Sequence, residues 1–167
     1  MSEVGETSAP DLQKSGITLR EILDVAMGFE QAANRFYLGL RDRVGADVRP
    51  LVDELAQEEQ RHYELLAQLA ADENLASQLA VTTLPPGPAD ASFRAYVTIA
   101  PLGDDPEADE LLDYAANRER VAHEHYAYLA EVATPGPVQA LFRHLRDEEK
   151  RHESFVDRLW TGAFSSL

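Results

Sequence analysis

The sequence predicts an all-α protein, a four-helix bundle made of two repeated helical hairpins joined by a long crossover. Three observations support this prediction. Four segments carry apolar residues at alternating spacings of three and four, which is the period of an amphipathic helix. The motif Glu-x-x-His occurs twice, in Glu59–His62 and in Glu149–His152. The segments that contain the two motifs align with each other, so the chain is an internal repeat.

The first predicted hairpin pairs a helix over about residues 18–44 with a helix over about residues 48–72. Thr18-Leu-Arg-Glu21 is a capping box, a sequence that opens a helix by binding its free backbone N–H groups. Both helices have a continuous apolar stripe. These stripes also include three polar residues, Glu30, Glu59 and His62.

The second predicted hairpin pairs a helix over about residues 106–132 with a helix over about residues 137–160. Pro106 suits the first turn of a helix, and Pro135-Gly136-Pro137 forms the turn between the two helices. The polar residues on these two stripes are Glu119, Glu149 and His152.

The remaining segments are predicted to be connections and tails. Residues 1–17 are polar and small, and form a flexible N-terminal tail, while residues 161–167 form a C-terminal tail. Residues 73–105 form the crossover, whose second half is rich in proline and glycine, with a short element around residues 92–99. A connection this long suits the joining of two parallel helices.

The repeat extends over both helices of each hairpin. Shifting the first helix by 89 residues onto the third superposes eight identical residues, Glu21, Leu23, Asp24, Ala26, Glu30, Ala33, Tyr37 and Leu40. Shifting the second helix by 90 onto the fourth superposes seven, Leu51, Leu55, Glu58, Glu59, Arg61, His62 and Leu69. Because neither hairpin can bury its stripe alone, the two hairpins are expected to pack together.

Composition excludes several classes of function. The 167 residues include 15 Lys and Arg against 30 Asp and Glu, a net charge of −15, which argues against nucleic acids and anionic membranes as partners. There is no cysteine, which excludes disulfides, zinc knuckles and iron–sulfur clusters. The sequence shows no signal peptide and no membrane span, so a cytoplasmic location is expected.

The six polar stripe residues predict a metal centre. Glu30, Glu59, His62, Glu119, Glu149 and His152 fall at one level of the bundle, roughly 20 Å from the hairpin turns at 1.5 Å per residue. An unpaired buried carboxylate costs several kcal/mol, and four approach the whole stability of a typical domain. Two divalent cations relieve this cost directly. The alternative is a bundle whose carboxylates are held by protons and hydrogen bonds.

The types of ligand limit which metals can bind at this centre. Carboxylates and imidazoles without thiolates suit Fe, Mn or Zn and argue against Cu(I). Four Glu and two His around two ions is the di-iron or di-manganese carboxylate pattern of helical bundles.

With these motifs, the sequence resembles a known family, the rubrerythrin-type proteins of the ferritin-like superfamily. The matching segments are Glu30-x-x-Ala33-x-x-Phe36-Tyr37, Glu59-x-x-His62, Glu119-x-x-Ala122-x-x-His125-Tyr126 and Glu149-x-x-His152, within residues 18–160. The resemblance implies a ferritin-like four-helix bundle with two iron ions. It also implies that Glu59 and Glu149 bridge the metals, that Glu30 and Glu119 are terminal ligands, and that each His completes one metal.

Two features depart from that family. Rubrerythrins carry a further Glu three residues after the terminal one on the third helix, where this chain has Ala122. They also often carry a rubredoxin domain, which needs cysteine. A separate electron donor is therefore expected, together with a small assembly, a homodimer by analogy.

Residues outside the ligand set also suggest roles. Tyr37 and Tyr126 lie two helical turns after the terminal carboxylates and are candidate catalytic or supporting residues, with core packing as the alternative. Glu58 and Glu148 precede the motif Glu and either orient the ligand imidazoles or form a solvated face. The other histidines are interpreted as non-ligands, with His125 the closest to an exception because it replaces Phe36 in the repeat.

Three functions follow from a di-iron centre. The first is an oxidoreductase that reacts with peroxide or dioxygen and protects against oxidative stress. The second is iron handling, with Fe(II) as the substrate of a ferroxidase or as cargo. The third is a non-catalytic bundle in which the metal is a staple or a sensor.

Overall fold

The computed structural model describes residues 16–98 and 106–164 and contains, in chain order, two short strands and six helices within that part of the chain. The elements are β1 (Ile17–Thr18), α1 (Leu19–Arg41), α2 (Arg49–Ala70), α3 (Ala76–Val81), β2 (Thr83–Leu84), α4 (Asp90–Ala95), α5 (Ala108–Val132) and α6 (Pro137–Phe164). The all-α prediction is confirmed, and the four long helices α1, α2, α5 and α6 are the helices of the two predicted hairpins.

The helix ends follow from local sequence. The hydroxyl of Thr18 accepts a hydrogen bond from the backbone N–H of Glu21 at 3.2 Å, which caps α1 as the capping box predicts. Pro50 occupies the first turn of α2, where its missing N–H costs nothing. Gly136 links α5 to α6 with a φ of 154°, a conformation that residues with side chains rarely adopt.

Each hairpin packs on itself, α1 against α2 and α5 against α6, and α2 also contacts α6. The apolar core is divided into two clusters along the bundle axis. One cluster contains Leu23, Phe29, Tyr126, Phe142 and Leu145, and the other contains Tyr37, Leu55, Leu112, Ala115 and Val156. The six predicted ligands lie between the two clusters along every long helix.

The crossover contains more structure than its sequence pattern suggests. β1 pairs with β2 in antiparallel register, with Ile17 opposite Leu84, so the start of α1 is tied to the crossover. Phe93 of α4 is fully buried and stacks on Phe29 and on His125, with ring centroids 4.0 Å apart in each pair. Two-residue strands and six-residue helices are too short to carry a clear periodic pattern, and tertiary contacts specify them.

Several bounds differ from those predicted. α1 ends at Arg41 where the prediction extends to about 44, α5 begins at Ala108 where the prediction begins at about 106, and α6 continues to Phe164 beyond the predicted end at 160. The N-terminal tail falls mostly outside the described residues, apart from Gly16 and the strand residue Ile17. None of the helices in the described ranges is long and apolar enough to cross a membrane.

Candidate metal centre

The four long helices bring the six predicted ligands together. α1 contributes one carboxylate, α2 a carboxylate and an imidazole, α5 one carboxylate, and α6 a carboxylate and an imidazole. All six side chains are almost fully buried, since none of the residues is more than 2% exposed. They are Glu30, Glu59, His62, Glu119, Glu149 and His152.

The His62 ring directs one nitrogen toward three of these carboxylates. Its Nδ1 lies 2.9 Å from Glu149 Oε1, 3.2 Å from Glu59 Oε2 and 3.8 Å from Glu30 Oε2. The three oxygens come from α6, α2 and α1, so a single nitrogen marks the point where three helices converge.

The His152 ring repeats this arrangement from the other half of the bundle. Its Nδ1 lies 3.2 Å from Glu59 Oε1, 3.5 Å from Glu149 Oε2 and 3.7 Å from Glu119 Oε2. Glu59 and Glu149 thus each present one oxygen to each imidazole, whereas Glu119 faces only the second. The two rings are nearly parallel, with centroids 5.3 Å apart.

The inward-facing atoms lack hydrogen bonds, although their neighbours are close. Six buried atoms at the centre have no partner of acceptable hydrogen-bond geometry, namely Glu30 Oε2, Glu59 Oε2, His62 Nδ1, Glu149 Oε1, Glu149 Oε2 and His152 Nδ1. Buried polar atoms are almost always paired, so six unpaired nitrogen and oxygen atoms directed at one place are suited to share a bound cation. Oxygen and imidazole nitrogen donors aimed at one point fit a pair of divalent cations.

The two terminal carboxyl groups are hard to ionise without such cations. Burial raises the pKa of Glu30 to about 8, and the negative charge of Glu149 adds to this rise. Burial likewise raises the pKa of Glu119 well above its usual range, and the charges of Glu59 and Glu149 add to the effect. At neutral pH Glu30 therefore holds a proton, and burial favours the protonated form of Glu119 as well.

The central carboxylates and the imidazoles carry opposite charges in the metal-free protein. Burial works against the charge of Glu149, as does the charge of Glu59, but contacts with both imidazoles outweigh them and lower its pKa to about 2. Burial also disfavours imidazolium at His62, but contact with Glu149 and with two further carboxylates raises its pKa well above the usual value. The metal-free site is therefore neutralised by protons that metal ions must displace.

The two tyrosines cross the bundle to reach the terminal carboxylates. The hydroxyl of Tyr37 on α1 donates a hydrogen bond to Oε1 of Glu119 on α5, and the hydroxyl of Tyr126 on α5 donates to Oε1 of Glu30 on α1. Burial, with the charge of the neighbouring carboxylate, raises the pKa of each phenol well above its usual range, so both hydroxyls remain donors. Each tyrosine thus orients the carboxylate of the opposite hairpin.

The two glutamates that precede the motif Glu behave differently from each other. Oε2 of Glu58 lies 2.5 Å from Nε2 of His152, the nitrogen on the outer side of that ring. Contact with His152, and then with Arg151, outweighs burial and lowers the pKa of Glu58 to about 2. Oε2 of Glu148 is 3.9 Å from Nε2 of His62 and instead accepts a hydrogen bond from Arg151 at 2.8 Å.

The other histidines lie outside this arrangement. His123 faces Glu153 at 3.4 Å. His125 is buried, its Nδ1 has no hydrogen-bond partner, and its ring stacks on Phe93 under the crossover. Burial lowers the pKa of His125 to about 4, so it is neutral at physiological pH.

Arg118 is a buried cation that the sequence analysis missed. It is 1% exposed, its guanidinium lies over the ring of Phe29 at 4.5 Å, and its Nη2 donates to the carbonyl oxygen of Phe29 at 3.1 Å. The internal repeat could have predicted its burial. In the alignment of the two hairpins, Arg118 occupies the position of the apolar Phe29, and His125 occupies that of Phe36.

Comparisons with known proteins agree with this geometry. A Thermotoga maritima protein, described as a ferritin-like diiron-carboxylate protein, has a crystal structure that matches the chain with a TM-score of 0.67 and 21% sequence identity. The match covers 86% of this chain and 95% of that chain, and at this identity it shows a shared ferritin-like fold. No curated protein matches the sequence significantly. The family model described as Rubrerythrin matches residues 21–160, and the chain therefore belongs to the rubrerythrin family.

Proposed function

We propose that this protein is a di-iron oxidoreductase that reduces hydrogen peroxide or dioxygen. One observation carries the proposal: Glu59 and Glu149 each place one oxygen near each of two buried imidazoles. A carboxylate with this position is suited to bridge two metal ions. Membership of the rubrerythrin family supports the same interpretation.

The proposed ligand set follows from the distances. His62 and Glu30 would hold one ion, and His152 and Glu119 the other, since each terminal carboxylate lies near one imidazole. Glu59 and Glu149 would contribute to both positions. Four carboxylates balance the charge of two divalent ions, which removes the need for the protons of the metal-free state.

Iron is the metal that we propose. Carboxylate and imidazole donors suit iron, manganese and zinc, and redox chemistry selects the first two. Iron held there would supply the two electrons that, with two protons, convert one hydrogen peroxide molecule into two water molecules. A separate electron donor would have to return these electrons, because the 167 residues contain no cysteine for a rubredoxin-type or iron–sulfur centre.

The chain's own residues prepare the site for this reaction. Tyr37 and Tyr126 fix the terminal carboxylates by hydrogen bonds from across the bundle. The apolar clusters on either side of the ligand layer limit access of water. Ala122 is a small buried residue at the position where rubrerythrins carry a further Glu. The proposed ligand set is therefore limited to six residues.

Rapid mixing of the ferrous protein with peroxide, and separately with dioxygen, tests the proposal. We expect the protein-bound iron to be oxidised much faster than free Fe(II) in the same buffer. Glu54→Ala, a change at an exposed position of α2, is a matched control that leaves this rate unchanged. Oxidation no faster than that of free Fe(II) with either oxidant contradicts the proposed activity.

A further inference from the structure

The two halves of the candidate centre are similar on the inside, except that Glu149 lies 2.9 Å from Nδ1 of His62 and 3.5 Å from Nδ1 of His152. From each imidazole Nδ1, the terminal carboxylate oxygen lies at 3.8 Å for His62 and 3.7 Å for His152. The same nitrogens both lie 3.2 Å from an oxygen of Glu59. Besides Glu149, a difference between the two metal positions can come from the groups that surround these ligands.

The outer sides of the two imidazoles differ. Nε2 of His152 has an acceptor, Oε2 of Glu58, at 2.5 Å. Nε2 of His62 is buried without a hydrogen-bond partner, and the equivalent oxygen, Oε2 of Glu148, is 3.9 Å away. That distance is too long for a hydrogen bond.

Arg151 accounts for this difference. Its Nη2 donates to Oε1 of Glu58 and to Oε2 of Glu148, both at 2.8 Å. On Glu58 the arginine uses the oxygen that faces away from His152, but on Glu148 it uses the same oxygen that lies nearest His62. Its counterpart in the repeat is Arg61, whose side chain is 60% exposed and lies 3.6 Å from Glu58. Arg61 therefore makes no comparable hydrogen bond to a glutamate.

An acceptor on the outer nitrogen matters for a metal-binding imidazole. It fixes the tautomer and the ring orientation and makes the inner nitrogen a better donor to the metal. Loss of such an acceptor typically weakens metal binding by about 10–100-fold.

We propose that the two metal positions are unequal, with the His152 position filled first and Glu58 acting as its positioning residue. Arg151 keeps Glu148 away from His62, which makes the second position the weaker one. This inference rests on the proposed function, since it requires that both positions bind a metal ion.

Anaerobic titration of the metal-free protein with Co(II), followed by visible absorbance and calorimetry, tests the inequality. We expect two steps whose dissociation constants differ by about 10–100-fold. Glu58→Ala should weaken the first step by a similar factor, whereas the matched variant Glu148→Ala should leave it unchanged. Glu58→Gln keeps an accepting oxygen and should restore part of the loss, which a purely structural role does not predict.

Arg151→Ala provides an independent variant on an exposed side chain. It releases Glu148 toward His62 and leaves Glu58 beside His152, so we expect the second step to tighten toward the first. In the Co(II) protein, NMR should show one imidazole N–H protected from solvent exchange, and Glu58→Ala should remove it.

The outcomes separate this inference from the proposed function. Two cobalt ions bound in a single unresolved step, or equal effects of Glu58→Ala and Glu148→Ala, would overturn the inequality and leave a dimetal centre in place. Binding of fewer than two ions by the folded wild-type protein would overturn the dimetal function and the inequality with it.

Discussion

The six proposed ligands do not contribute equally to the two metal positions. Glu59 and Glu149 contact both imidazoles, whereas Glu30 contacts only His62. Replacing a shared carboxylate therefore affects both ions, while replacing a terminal one affects a single ion directly.

Glu59→Ala and Glu149→Ala should each lose at least one metal ion per chain. The reason is that each change removes an oxygen donor from both imidazole sites at once. Metal analysis after loading and desalting measures the loss, with the exposed Glu54→Ala as a control that keeps full occupancy. Full occupancy in both shared-carboxylate variants would show that the ligand assignment is wrong.

Tyr37→Phe should destabilise the metal-free protein by about 1–3 kcal/mol, because it leaves an oxygen of Glu119 buried without its donor. Chemical denaturation of the metal-free protein measures this change. Tyr63→Phe is a control outside the buried hydrogen bonds, and we expect it to change stability by less than about 0.5 kcal/mol. If Tyr37→Phe changed stability no more than the control, the Tyr37 hydroxyl would contribute nothing to the stability of the metal-free protein.

At this scale, sequence and structure differ in what each can reveal. Helical periodicity is enough to place Glu30 and His62 on buried faces, so the candidate ligands can be found from sequence. The pairing of Tyr37 with Glu119 depends on the relative height of two helices that are distant in sequence, which periodicity does not specify. Arg118 was missed because an aromatic neighbour from another helix, not an acidic partner, accompanies its burial.

The crossover is the segment that the sequence predicts least well, and its helix α4 packs beside the candidate centre. Phe93 lies between Phe29 and His125, and its ring edge meets Tyr126, which in turn binds the carboxylate of Glu30. The crossover therefore supports one side of the ligand layer in addition to joining the hairpins. Its contacts are long-range, which is why the local pattern of residues 73–105 predicts little of it.

Phe93→Ala should destabilise the protein by about 3–5 kcal/mol, because it removes a fully buried aromatic ring and leaves a cavity. Val81→Ala, at a residue that is 73% exposed in the same crossover, should change stability by less than about 0.5 kcal/mol. Denaturant unfolding of the two variants measures the difference. A loss below about 1 kcal/mol for Phe93→Ala would mean that α4 does not pack on the bundle as described.

At the scale of the whole molecule, two apolar clusters enclose a layer of six ionisable groups. In the metal-free fold, burial favours the protonated forms of Glu30 and Glu119, and contacts with carboxylates raise the pKa of both imidazoles. The stability of this fold must therefore depend on pH in a way that an apolar bundle does not show.

The metal-free protein should lose a few kcal/mol of stability as pH rises from about 5 to about 8. Glu30 keeps its proton up to a pKa of about 8 in the folded state, whereas the unfolded chain releases it above 4.5. The raised pKa of the His62 imidazole also lowers stability as pH rises above 6.5. Glu149 has a pKa of about 2 and acts in the opposite direction, so its contribution to stability is lost only as pH falls below 4.5.

Denaturation at several pH values, with and without metal, measures this dependence. Metal binding replaces the protons, so the stabilisation by metal should grow as pH rises. A metal-free stability that is constant or rises between pH 5 and 8 would contradict the proposed proton arrangement.

Counting the metal ions in the buried layer tests whether it is a dimetal centre. The protein is loaded anaerobically with Fe(II), desalted, and assayed for iron and protein. We expect about two iron ions per chain. A value near zero in a folded, stable bundle would contradict this expectation and would mean that protons and hydrogen bonds alone hold the carboxylates.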